Sequence, residues 1–202
     1  MLLWSRHEFK PHPKVFVMQR LMDIMASSHP SFMDVLEASR TRRGGFFRNL
    51  TLATMADGPD LRIVVLRAIT SDGLVMFTDK RSPKYEQLGH DNRAAIHAYD
   101  PKTKLQVRGY GQCALLVGAQ IPTEYLHEAM QRPEDYARMS KPGSKIMPAA
   151  PVTMNLDEAP NNLAVILLRP HLWDMLELHD EGHRRFEWGL ESGKWVGSWR
   201  TP

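Results

Sequence analysis

The segment Leu61-Arg62-Ile63-Val64-Val65-Leu66-Arg67 sets arginines around an apolar run, and Ser82-Pro83-Lys84 begins fifteen residues beyond Arg67. A guanidinium framing an apolar strand needs a carboxylate, an anion or water. Ser followed by Pro is a helix start, with the serine as cap and the proline's missing N–H at a position where no donor is needed. Such a start presents free N–H groups and about half a positive charge. With Lys80, Arg81 and Lys84 around it, this set can hold a phosphate group. The same residues also fit ordinary strand-end charges and a plain cap. No glycine-rich Walker or Rossmann pattern and no nucleophile elbow accompanies them.

The elements that must position these residues are mostly strands. Runs at 46–55, 61–69, 74–78, 94–99, 105–117, 163–169, 173–178, 184–190 and 195–199 are apolar or alternating, with Asp57-Gly58-Pro59, Ser71-Asp72-Gly73 and Glu191-Ser192-Gly193 as turns between them. Helical signal is confined to a stretch capped by Ser31 and ending at Gly44-Gly45, a short helix from Ser82-Pro83, and a third from Thr123 that Pro133 interrupts. Many short strands with few helices between them predict a mainly β antiparallel barrel with flanking helices. In Leu105–Cys113 the odd positions are apolar or small, while Gln106, Arg108, Tyr110 and Gln112 face the other way. Along His183–Trp188, His183, Arg185 and Glu187 share one face, and Arg184, Phe186 and Trp188 share the other. Residues 1–30 read as an N-terminal extension and residues 31–202 as the barrel domain.

Composition narrows the class. The 202 residues are 43% hydrophobic and 24% charged, the balance of a globular domain rather than a disordered or fibrous chain. Cys113 is the sole cysteine, which excludes an intramolecular disulfide and cysteine-rich zinc sites and predicts a reducing, cytoplasmic setting. Leu163–Leu168, the longest apolar run, falls far short of the roughly 20 residues of a membrane span. The net charge is +3, with Arg40, Arg42, Arg43 and Arg48 clustered around Gly44-Gly45. That cluster fits either a nucleic-acid backbone or a solvated helix end, and without a helix-turn-helix, zinc-finger or RNP pattern beside it nucleic acid is the weaker reading. His97 reads as a strand histidine; His12, His29, His90 and His127 have no neighbours in sequence that would complete a metal set.

The order Arg62–Arg67, Asp72-Gly73, Phe77-Thr78, Arg81–Lys84, Gln106–Gly111, His183–Phe186 and Trp195 resembles the pyridoxamine/pyridoxine 5′-phosphate oxidase family from about Phe46 to Pro202. The resemblance implies a six-stranded antiparallel Greek-key split barrel that dimerises, with FMN in a groove built by both subunits. It places Arg62, Ile63, Val64 and Val65 along the flavin ring and its phosphate, and Thr78, Ser82 and Lys84 at the phosphate and ribityl chain. Gln106 would reach the ring from the neighbouring subunit, with Arg185 a second cation near the cofactor. Arg67, Arg132 and His183 would face the substrate.

Several positions depart from that pattern. The family's Ser-Arg-Lys reads Ser82-Pro83-Lys84, leaving Arg81 as a candidate substitute for the missing cation, and its Gln-Ser pair is replaced by Pro142-Gly143-Ser144. A tryptophan expected before the C-terminal motif is out of register at Trp173. Where the oxidases carry Arg-x-His, this chain has Glu181-Gly182-His183, and Glu128 and Tyr136 stand where a Tyr and a Ser share the substrate phosphate. A carboxylate in place of a phosphate-binding cation repels a phosphorylated substrate. The expectation is an FMN-dependent oxidoreductase of a related subgroup acting on another small molecule, against the alternative of a flavin or haem carrier on the same barrel.

Overall fold

Residues 29–147 and 151–202 are described by a computed structural model of the chain. Its elements are α1 (His29–Thr41), β1 (Asn49–Met55), β2 (Pro59–Thr70), β3 (Gly73–Asp79), α2 (Pro83–His90), β4 (Arg93–Asp100), β5 (Leu105–Val117), α3 (Thr123–Ala129), α4 (Ala159–Asn162), β6 (Leu163–Glu177), β7 (Arg184–Glu191) and β8 (Lys194–Arg200). The strands pair in the order β3-β2-β1-β4-β5-β6-β7-β8, and an additional β3–β6 pairing closes the first six into an antiparallel barrel. The split-barrel expectation holds. The expected extension falls almost wholly on residues 1–28, outside the described residues, and α1 begins at His29 rather than after a Ser31 cap.

Strand alternation sends one set of side chains inward, among them Leu50, Leu52, Val64, Leu66, Leu74, Met76, Ile96, Val107, Ile166 and Leu168. Trp173, fully buried, joins this core to α1: its ring meets Phe32 edge-on at 5.4 Å and lies 6.3 Å from Phe47. Gly109 is needed for that packing, because a Cβ there would come within 2.8 Å of the Trp173 ring. A second cluster covers the outer face of β3 and β6, where Val75, Val165 and Leu167 pack with Ile121, Ala129 and Tyr136.

Two strand expectations need correction. The runs at 163–169 and 173–178 form one strand, β6, that passes straight through Pro170. Residues 163–168 of β6 pair with β3 and residues 172–177 pair with β7, so around Pro170 the strand has only β5 as a neighbour. The register shifts there, with Tyr110 opposite Leu172 and Gly111 opposite Pro170, which leaves His171 as the extra residue of a bulge. A proline at a bulge gives up no ladder bond on the open side. The other correction is β1, which starts at Asn49 rather than Phe46. Phe47 is instead fully buried in a turn whose N–H meets the Ser39 hydroxyl.

Candidate functional site

A groove of about 540 Å³, within the range of small-molecule sites, opens along β2 and β3. Its apolar wall is Ile63, Val64, Val65 and Phe77, and its polar end is Thr78, Ser82 and Lys84. The outward positions of β2 supply Ile63, Val65 and Arg67; the end of β3 and the start of α2 supply the polar group. The Ser82 side chain does not cap α2 as expected. Its hydroxyl sits 3.1 Å from that of Thr78, to which Lys84 Nζ donates at 3.2 Å. Ser82 and Thr78 are both buried. Two hydroxyls and an ammonium thus converge on one corner.

Lys84 makes no ion pair among the described residues. Burial, followed by the nearby Arg62 guanidinium, pushes its pKa below the usual 10.5. A half-buried cation without a counterion is the electrostatic complement of an anionic ligand. In the alkaline range between the lowered folded value and 10.5, the unfolded chain binds more protons than the folded one. The Lys84 contribution to the stability of the ligand-free protein therefore climbs as pH rises towards 10.5, while Cys113 and Tyr136, both pushed up to about 12 by burial, contribute a fall over the same range. Urea unfolding of the parent and of Lys84→Met checks this: the stability of the parent relative to the variant should rise across the range.

The remaining expected residues divide into three groups. Arg62 points away from the groove wall: it pairs with Asp60 and donates to the Thr54 hydroxyl and, at 2.9 Å, to Gln87 Oε1. It nevertheless lies close enough to Lys84 to affect its proton affinity. Arg67 lines the groove, 3.6 Å from Glu128 and 5.3 Å above the Phe77 ring, while its carbonyl accepts from Arg40 at 2.6 Å. Arg40, one member of the basic cluster around Gly44-Gly45, is thereby committed to the fold. Arg132 is exposed and pairs with Glu134 outside the groove lining.

Gln106, Arg185 and His183 lie elsewhere on the barrel. Pairing carries Ile63 of β2 to Thr51, Thr51 to His97, and His97 to Arg108, so Arg108 is three strands from the groove wall, roughly 14 Å across the sheet. Gln106 stands two residues along from Arg108, and Arg185 lies farther still on β7. Buried Asp174 receives Arg185 through Nε at 3.1 Å and Nη2 at 2.7 Å, and receives Arg108 as well. The His183 ring accepts the His179 N–H at 3.2 Å at the start of β7. The chain's own groove therefore gathers Ile63, Val64, Val65, Arg67, Thr78, Ser82 and Lys84, and leaves Gln106 and Arg185 on the open sheet face, with Arg62, Arg132 and His183 outside the groove lining.

Two further parts of the groove lie beyond the strands and α2: Tyr136 and the Pro142-Gly143-Ser144 stretch stood out in the sequence only as departures from the family pattern, and Arg138, Ser140 and Lys141 did not stand out at all. Tyr136 is buried beside Arg67, and burial pushes its phenol up to about 12, so it is a protonated hydroxyl at ordinary pH. The strap from Arg138 to Ser144 forms the opposite wall and adds Arg138, Ser140 and Lys141. Arg81, the expected substitute phosphate cation, is instead clamped by both oxygens of Asp79 and donates to the Arg138 carbonyl at 2.7 Å. Among the described residues no group of three or more His, Cys, Asp or Glu side chains could hold a metal.

Comparison with known proteins covers the strands that line the groove. Residues 28–117, which include β1 to β5 and the polar corner, match the model of the pyridoxamine 5′-phosphate oxidase FMN-binding domain. Over that stretch, somewhat under half of its length, the chain is similar to the pyridoxamine 5′-phosphate oxidase-related FMN-binding family. Its cofactor is FMN. A pyridoxine/pyridoxamine 5′-phosphate oxidase of Hyphomonas neptunium is 32% identical over 102 residues, 50% of this chain and 47% of that protein. The chain thus spans about half the length of this curated relative. Two solved structures share the fold. An FMN-binding family protein of Nostoc punctiforme has a TM-score of 0.66 at 24% identity, covering 86% of this chain and 97% of that one. PhzG of Burkholderia lata, solved with tetrahydrophenazine-1-carboxylic acid, has a TM-score of 0.63 at 17% identity, covering 100% and 98%. The family's cofactor fits the groove, since an apolar wall suits a planar ring and the Thr78, Ser82 and Lys84 corner suits a phosphate dianion. Among the described residues no helix is long and apolar enough to cross a membrane.

Proposed function

We propose that the chain is an FMN-dependent oxidoreductase acting on a small molecule other than a vitamin B6 phosphate. The observation that carries the cofactor half is Lys84, a half-buried cation with no ion pair among the described residues, held on Thr78 beside Ser82. FMN supplies a ring that accepts a hydride equivalent from a donor and passes it to a second acceptor. The protein's part is to bind and orient. Ile63, Val64 and Val65 present the wall for the ring, the polar corner takes the phosphate, and Arg67 adds positive potential at the far end. On the substrate side, Glu128 pairs with the groove residue Arg67, and the exposed Glu181 stands where the resemblance calls for a cation, which argues against a phosphorylated substrate.

The absorption spectrum of the purified protein and its bleaching by donors test this reading. A yellow protein bleached by an amine or nicotinamide donor, with slow turnover of pyridoxine 5′-phosphate, is expected. A yellow protein that no donor bleaches would make it a flavin carrier. A colourless protein that takes up no added FMN would end the proposal.

A homodimer belongs to the same proposal. Leu61 and Ile63 are 62% and 66% exposed on the sheet face that also carries Tyr99, Gln106, Arg108 and Arg185. A face that is apolar at one end and carries an ion-paired polar cluster at the other can meet a second copy about a two-fold axis, each copy bringing Gln106 and Arg185 to the other's groove. Sedimentation should give about twice the 23.1 kDa chain mass. Leu61→Glu should yield a folded monomer with weakened FMN binding; a monomeric parent that holds FMN fully would sink the shared-groove model.

A further inference from the structure

The phosphate corner is short of cations on its own side. Arg62 is occupied by Asp60, Thr54 and Gln87, and Arg81 by Asp79 and the Arg138 carbonyl. Residue 83, between Ser82 and Lys84, is a proline and offers neither a charge nor an N–H. Among the described residues, Lys84 is then the one cation on this wall that is not in an ion pair, and a phosphate dianion carries twice its charge. The opposite wall makes up the difference. Gly143, at φ +85°, brings the strap directly onto Pro83: a Cβ at Gly143 would lie 3.2 Å from the proline ring. This contact sets Lys141, two residues earlier, in the lining of the same groove as Thr78, Ser82 and Lys84. Lys141 has no ion pair among the described residues.

From this juxtaposition we infer that Lys141, carried over Pro83 by the strap, is the second phosphate-binding cation of the site. The inference rests on the FMN reading and goes beyond it by assigning the role to a residue outside the β2–α2 segment and by excluding Arg81. Pro83 and Gly143 act together. The proline's flat ring lets the strap approach, and the glycine takes a left-handed backbone conformation that places no side chain between them. An arginine at 83 would supply a cation from the near wall, making Lys141 redundant.

The test compares FMN with riboflavin, which has the same ring and ribityl chain but no phosphate. Both are titrated by fluorescence into the full-length, flavin-free protein. Lys141→Gln should weaken FMN by about tenfold or more, the loss of one charge-assisted contact, and leave riboflavin unchanged. Arg81→Gln should not alter the FMN-to-riboflavin preference. Pro83→Arg in the Lys141→Gln background should recover FMN affinity. An unchanged preference in Lys141→Gln, or a loss of both flavins in equal measure, would overturn the assignment while leaving FMN binding intact. If the parent protein shows no preference for FMN over riboflavin, the phosphate corner itself fails, a different result from the failure of Lys141 alone.

Discussion

The double variant Arg62→Ala/Lys84→Ala is expected to lose FMN affinity by about 1.5–3 kcal/mol, roughly ten- to a hundredfold, because the charge-assisted contact of Lys84 is worth about that much and Arg62 makes no direct contact in the groove. The two positions contribute differently. Lys84 Nζ lies at the corner with the Thr78 and Ser82 hydroxyls, so its removal strikes the phosphate directly. Arg62 acts from behind: it adds positive potential near Lys84 and holds Thr54 and Gln87 in place. The single variants separate these parts. Arg62→Ala should also destabilise the flavin-free protein by about 1–2 kcal/mol, since the buried Thr54 hydroxyl loses its donor. Lys84→Ala should not destabilise it, because a half-buried uncompensated cation is removed. Fluorescence titration and urea unfolding of the three variants measure both effects. Unchanged FMN affinity in the double variant would move the phosphate to another part of the barrel.

Trp173→Ala should be the most damaging single change to the fold, at about 3–5 kcal/mol. The indole is fully buried between α1 and the barrel, in contact with Phe32 and within ring distance of Phe47, and Gly109 is shaped to receive it. For a chain of this size, each kcal/mol moves the melting temperature by about 2–4 °C, so calorimetry should show a fall of roughly 10 °C or more. Trp173→Phe keeps most of the ring and should cost less than half as much. A loss below 1 kcal/mol for Trp173→Ala would show that α1 is not anchored by this residue.

Much of the barrel was legible because its strands announce themselves by alternation. Leu105–Cys113 turns Val107, Gly109 and Cys113 inward and Gln106, Arg108 and Tyr110 outward, as its pattern demands. Ser82-Pro83 likewise opens a helix where punctuation says it should. Three features were not legible, each for a physical reason. Pro170 reads as a strand breaker, and only the exchange of β3 for β7 as the neighbour of β6 makes it harmless. Arg62 and Arg81 look alike as free cations beside the helix start, but their commitments depend on Asp60, Thr54 and Gln87 for one and on the Arg138 carbonyl for the other, partners that come together only in the fold. The strap around Lys141 has no periodicity, and its place is set by Gly143 meeting Pro83, some sixty residues earlier in the chain.

The double service of β6 also orders events in time. Barrel closure needs residues 163–168 to find β3, about ninety residues back, a pairing whose loop-closure entropy is lost before any contact repays it. A ribosome that has released only the first three quarters of the chain has exported β1 to β5 but no partner for the open edge of β3. The ring cannot shut, and the groove along β2 and β3 cannot take its final shape, until that late strand emerges. The β7–β8 hairpin hangs on the second half of β6 and follows it. Synthesis thus delivers the lock of the barrel only after β1 to β5, and the charged hairpin face with Arg185 after that. A groove shaped for a flavin accordingly exists only once β6 has emerged and paired.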